Sequence, residues 1–134
     1  MTWEKSMRVG SPDTVIVQIN PIERNEVPFT AREIVNRVNE ISFNSSLMRE
    51  MRAIKFVSDL IDQGNLSEED YVKLHIHMIS SGELQEFGAS SKLNAELGFL
   101  LTLKRLGRET AEQWLHDNWD KVNHESTCDL GTFM

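Results

Sequence analysis

His75 and His77 are the best-spaced candidates for chemistry in this 134-residue chain. On a strand, positions i and i+2 share one face, so a metal ion could bridge the two imidazoles. Two ligands are too few, and His116 and His124 would have to converge on the pair. Nothing in the pattern requires that convergence. A structural pair is the favoured reading; a small metal-dependent enzyme using His75 and His77 is the weaker one.

Hydrolytic chemistry needs more parts than the chain offers. An α/β acyl hydrolase places its serine on a sharp strand-to-helix turn written G-x-S-x-G, where the glycines permit the strained turn. The nearest match is Gly88-Ala89-Ser90-Ser91-Lys92, in which lysine replaces the second glycine. Ser90 and Ser91 read more simply as helix caps. Cys128, with His124 four residues before it, has no accompanying oxyanion or positioning element. Glu68-Glu69-Asp70 suits a helix N-terminus, where acids complement the dipole. Glu23, Glu26 and Glu33 are scattered over a loop and a cap. Among the tryptophans, Trp114 is expected in the core and Trp119 partly exposed, with Trp3 in the lead-in. A stacking platform for nucleic acid would need basic surroundings, and Asp117 and Asp120 flank Trp119 instead. The seven glycines are never spaced for a phosphate loop. No catalytic, cofactor-binding or metal-ligating residue is assigned, and no cofactor is expected.

Composition bounds the class. Forty per cent apolar and 26% charged residues suit one globular domain with a real core. The net charge of −7 argues against a nucleic-acid partner, which needs a concentrated basic surface. The single cysteine cannot form an internal disulfide, so a reducing, cytoplasmic setting is expected. No signal-like h-region and no run of ~20 apolar residues is present.

The elements that would position these residues read as follows. A lead-in over residues 1–13 ends in Gly10-Ser11-Pro12-Asp13. Thr14-Val15-Ile16-Val17-Gln18-Ile19 is a strand, apolar on both faces and so expected to be covered on both. A loop with Pro21 and Pro28 follows. Thr30 and Glu33 form a capping box, with Phe29 and Ile34 at hydrophobic-staple positions. Helical spacing runs through Ile34, Val38 and Ile41. The weak formers Ser42 to Ser46 bend or interrupt it, and it resumes at Leu47, Met51, Ile54 and Ile61 until Gly64. Ser67 starts a short helix. Leu74 to Ile79 alternates as a second strand, and residues 80–90 are irregular with one turn near Glu83 to Phe87. Leu93 to Leu106 reads as a buried helix, with close packing at Gly98 and a stop at Gly107. A last helix covers Arg108 to Val122, with Ala111, Trp114, Leu115 and Val122 inward. Residues 123–134 are a weakly patterned tail. The fold class is α/β and helix-rich, a single domain over 14–122 with two strands (about 14–19 and 74–79) and four to five helices.

Several stretches carry a resemblance when taken in order. They are Asp13 to Pro21, Thr30 to Asn44, Arg49 to Ile54, Leu74 to Ile79, Ser90 to Asn94 and Ser126 to Leu130. Together they resemble the C-terminal region of bacterial patatin-like phospholipase family proteins, over roughly residues 10 to 130. The resemblance implies a three-layer α/β sandwich whose catalytic Ser-Asp dyad and Gly-rich oxyanion loop precede the first strand. G-x-S-x-G is absent from this chain, and no Asp-Gly pair occurs in it. No catalytic residue therefore carries over.

The expected function is that of a non-catalytic C-terminal domain of a patatin-like lipid acyl hydrolase. It would complete the sheet and cover the catalytic part, supplied in cis or in trans. The alternative is a stand-alone interaction module that dimerises through an exposed strand edge or an apolar helix face.

Overall fold

The computed structural model describes residues 10–24, 27–87, 91 and 94–133. Residues 1–9 of the expected lead-in, Trp3 among them, lie outside the described residues, as do Glu26 and Ser90. The chain is mixed α/β: strand β1 (Asp13–Gln18), helix α1 (Ala31–Asp62), strand β2 (His75–Ser80) and helix α2 (Leu97–Asn118). Short 3-10 turns occupy Gly82–Glu86, Trp119–Lys121 and Leu130–Phe133. The strands pair in parallel as a two-stranded sheet. Parallel neighbours require a crossover, and α1 supplies it.

Two compact units divide the chain. The first comprises residues 10–16, 47–78 and 118–133, and the second comprises Val17–Ser46 and Ile79–Asp117. The core of the first unit is the inner stripe of α1, Met51, Ile54 and Ile61, with Leu74, Ile76 and Phe133. Their spacing on α1 is the helical one the sequence shows. Gly64 stands just past the helix at φ +73°, a conformation that favours glycine. Residues 123–133, weakly patterned in sequence, hold Phe133 in this core. Arg52 Nε donates to the Phe133 carbonyl at 2.6 Å.

The second unit has an inverted helix. Along the first half of α1, Glu40 and Asn44 are buried while Ile34, Val38 and Ile41 face solvent. The polar inner side has partners in the β1–α1 loop. Arg24 grips Glu40 through Nε (2.8 Å) and Nη2 (2.6 Å), and Asn44 donates to the Pro21 carbonyl at 2.9 Å. Arg37 donates to the Ile22 carbonyl at 3.2 Å.

The capping box forms as expected: Glu33 N donates to Thr30 Oγ1 (3.2 Å) and Thr30 N to Glu33 Oε2 (2.9 Å). These bonds, with one from Phe29 N, hold the Glu33 carboxyl below its usual range. The hydrophobic staple does not form, because Phe29 is 88% exposed. The break expected at Ser42 to Ser46 is corrected to continuous helix. Ser45 Oγ returns to the Ser42 carbonyl at 2.8 Å, so its hydroxyl is satisfied within the helix.

Further expectations are corrected. The short helix after Ser67 is a turn: Ser67 Oγ accepts from Glu69 N and its carbonyl from Tyr71 N, and the chain then leaves for β2. The two C-terminal helices are one, α2, so the described residues hold two α-helices rather than four or five. Gly107 costs about 1 kcal/mol inside a helix. The Arg105–Glu109 pair (2.7 Å) spans it, and Leu106 beside it is buried. Leu106 is the buried residue of α2, whereas Leu97, Leu100 and Leu101 are exposed, so this helix is not the buried one expected. A Cβ added at Gly98 would meet nothing within 4 Å, so the close packing expected there is not found. A Cβ at Gly107 also meets nothing within 4 Å. Gly107→Ala is therefore expected to add about 0.5–1 kcal/mol of stability, read as a higher Tm in thermal unfolding.

Of the cover expected on both faces of β1, that on one face is absent. Val15, Val17 and Ile19, alternate residues on one face, are 51%, 66% and 60% exposed. Two strands make too small a sheet to shield themselves.

Candidate functional site

The first unit gathers a buried polar cluster around Asp13, the first residue of β1. In a parallel pair, residues of one parity face the same side on both strands, which brings Asp13 beside His75 and His77. His77 Nε2 lies 2.8 Å from Asp13 Oδ1, and His77 Nδ1 lies 3.1 Å from Thr127 Oγ1. Asn123, at φ +68°, turns its backbone N–H onto the same Asp13 oxygen at 2.9 Å. Ser11 Oγ donates to Asp13 Oδ2 at 2.7 Å. His75 Nδ1 sits 3.4 Å from Asp13 Oδ1 and makes no hydrogen bond.

Electrostatics follow from this geometry. Burial opposes ionisation of Asp13. The bonds from His77, Asn123 and Ser11, with the charge of His75, outweigh it and hold the carboxyl far below the usual carboxylate range. An ionised carboxylate only accepts, so His77 carries its proton on Nε2. In the neutral ring Nδ1 then accepts from the Thr127 hydroxyl.

The order carboxylate, imidazole, hydroxyl is that of a nucleophilic triad, but the surroundings do not serve catalysis. His77 is 0% exposed. The backbone N–H groups of Thr127 and Cys128, the natural oxyanion donors beside the hydroxyl, both donate to the Ile76 carbonyl at 3.1 Å. Ser126 Oγ accepts from Ile76 N at 3.0 Å. The cluster works as a latch that seats residues 123–128 along the outer edge of β2.

The other candidate residues are dispersed. His116 belongs to the second unit, exposed, with Nδ1 2.9 Å from Asp117 Oδ1. His124 is exposed. Neither joins His75 and His77, and among the described residues no group of three or more His, Cys, Asp or Glu could hold a metal ion. Cys128 is half-buried, and burial together with Asp129 pushes its thiol up, away from the reactive thiolate. Glu68, Glu69 and Asp70 are exposed on their turn, Glu23 is exposed on its loop, Trp114 is half-buried and Trp119 is exposed. Ser91 is half-buried. Asp13, Thr127 and Asn123 carry the cluster, and by sequence alone they belong to a breaker and a weakly patterned tail. The available signal was an acid opening one strand beside two same-face histidines on the next.

The second unit contains a cavity of about 340 Å³, every lining residue of which belongs to that unit. Val17, Ile19 and Ile79 contribute from the C-terminal ends of the strands. Leu84 and Phe87 contribute from the 3-10 turn, and Phe99, Leu103 and Leu106 from α2. Phe87 and Phe99 meet edge-to-face at 5.4 Å. Polar groups at the lining are Ser80, Ser81, Ser91, Thr110, Gln18 and Glu40. No helix among the described residues is long and apolar enough to cross a membrane.

By fold and site the protein is a mixed α/β chain with a parallel strand pair, a buried carboxylate–histidine latch and an apolar cavity. Comparison with protein-family models, curated proteins and solved structures found no match to it.

Proposed function

We propose that the chain is the non-catalytic C-terminal segment of a patatin-like lipid acyl hydrolase, working in the cytoplasm. It adds its two strands to a larger parallel sheet and covers a catalytic part supplied in cis or in trans. The outer edge of β1 carries this reading. His75 N donates to the Pro12 carbonyl at 3.1 Å, so alternation turns the backbone groups of Val15 and Val17 away from β2. Among the described residues no strand pairs with them. A β-branched strand with one open edge and one exposed apolar face is built to receive a neighbour. The net charge of −7 and the absence of a basic cluster support a protein partner over a nucleic acid.

The test mixes the purified chain with the catalytic segment of a patatin-like hydrolase that lacks its own C-terminal region. The chain alone should not turn over short-chain nitrophenyl esters, and the mixture should form a complex that Val15→Lys, on the exposed face of β1 and outside the cavity lining, weakens. Ester turnover by the chain alone would sink the non-catalytic claim, and failure to associate would sink the sheet-completion claim.

The exposed stripe Ile34, Val38 and Ile41 on α1 supports a second reading, self-association through a helix face. Sedimentation decides it, because a stable monomer at high concentration is incompatible with that role.

A further inference from the structure

The second-unit cavity has a ligand chemistry of its own, although Val17 and Ile19 belong both to its lining and to the exposed face of β1. It lies at the C-terminal ends of two parallel strands, the position where open α/β sheets bind ligands. Its walls are aliphatic and aromatic, and its volume of about 340 Å³ falls in the range of small-molecule sites. At roughly 30 Å³ per water-sized group, that is room for a chain of about ten carbons.

The polar groups decide the head group. Among the described residues no lysine or arginine lines the cavity. Its ionisable lining residue is Glu40, whose carboxylate is held by Arg24 and Arg37 and so needs no cation from a ligand. A carboxylate or phosphate entering these apolar walls would lose its water without a free cation among the described lining residues to replace it. Hydroxyls of Ser80, Ser81 and Thr110 remain as partners for a neutral head. We infer that this cavity binds an uncharged single-chain aliphatic molecule with a hydroxyl or ester head, such as a medium-chain alcohol, and excludes the corresponding fatty-acid anion.

The test titrates the full chain with the uncharged dye N-phenylnaphthylamine and displaces it with decanol or decanoate at neutral pH. Expected are saturable one-to-one binding, displacement by decanol, and displacement by decanoate weaker by about tenfold or more. Two variants narrow the cavity. Leu103→Trp fills it from α2. Gly107→Leu adds a side chain at a lining position, where a new Cβ meets nothing within 4 Å and helix propensity improves. Each should weaken dye binding by about tenfold or more with the helical circular dichroism intact. If Leu103→Trp does not fold, Gly107→Leu carries the test. Phe56→Ser, which removes an exposed ring of the first unit, should bind dye like the parent chain. The inference is overturned by non-saturable binding, by decanoate competing as well as decanol, by a folded Gly107→Leu that binds normally, or by loss of binding in Phe56→Ser.

Discussion

Asp13→Ala is expected to destabilise the protein by about 2–3 kcal/mol. The carboxylate is 7% exposed and receives His77 Nε2, the Asn123 N–H and the Ser11 hydroxyl. Deleting it strands the buried Nε2 donor of His77, whereas Ser11 and Asn123 are exposed to water; an unsatisfied buried group costs about 1–3 kcal/mol. Urea unfolding of the two proteins measures the difference. A change below about 1 kcal/mol would mean that the latch contributes little.

Asp13→Asn separates charge from shape. Asn keeps the volume and one acceptor oxygen but cannot ionise. The folded-state pKa of Asp13 lies well below that of an unfolded Asp, so the unfolded chain binds its proton first as pH falls. The stability Asp13 contributes is therefore fully present above the ordinary carboxylate pKa of about 4. It is lost progressively as pH drops below that value. The advantage of the parent chain over Asp13→Asn should be constant from pH 7 to about pH 5 and shrink below about pH 4. An advantage independent of pH down to about 2 would contradict an ionised Asp13 at the centre of the latch.

Breaking the buried ion pair of the second unit is expected to be at least as damaging. Glu40 is 4% exposed and takes two bonds from Arg24, with Arg37 at 3.3 Å. The hydrogen bond from Arg24 is the main reason its carboxyl sits below the usual range, against the cost of burial. Arg24→Ala leaves that charge buried with one weaker partner, at an expected cost of about 3 kcal/mol. The double variant Arg24→Met with Glu40→Leu removes both charges and should recover most of the loss, because a paired charge in an apolar site gains little over a hydrophobic pair of similar volume. A double-mutant cycle in urea reads both. Near-identical stabilities for Arg24→Ala and the parent chain would show the pair to be dispensable.

Both sites join residues far apart in sequence, and this sets what a reader of the sequence could see. The Thr30–Glu33 box, the glycine stop at Gly64 and the stripe Met51, Ile54 and Ile61 were legible, because each depends on bonds or periodicity within a few residues. Misreadings clustered where a local preference met a distant partner. Ser42 to Ser46 looked like a break, yet Asn44 is held by the Pro21 carbonyl and the helix continues. Gly107 looked like a stop, yet an i,i+4 ion pair and the burial of Leu106 carry α2 through it. Ile34, Val38 and Ile41 have helical spacing, and spacing alone does not say which side of a helix meets the core.

The missing hydrolytic parts, the α/β class and the two strands were thus determined by the sequence itself, since motif absence and strand alternation are properties of short stretches. Tertiary structure alone decided the pairing of Asp13 with His77 and of Glu40 with Arg24, the exposed face of β1 and the cavity at its end. A buried charge is tolerated only where partners from other segments surround it. Which segments those are is settled when β1 and β2 align in register and α1 chooses its inner face.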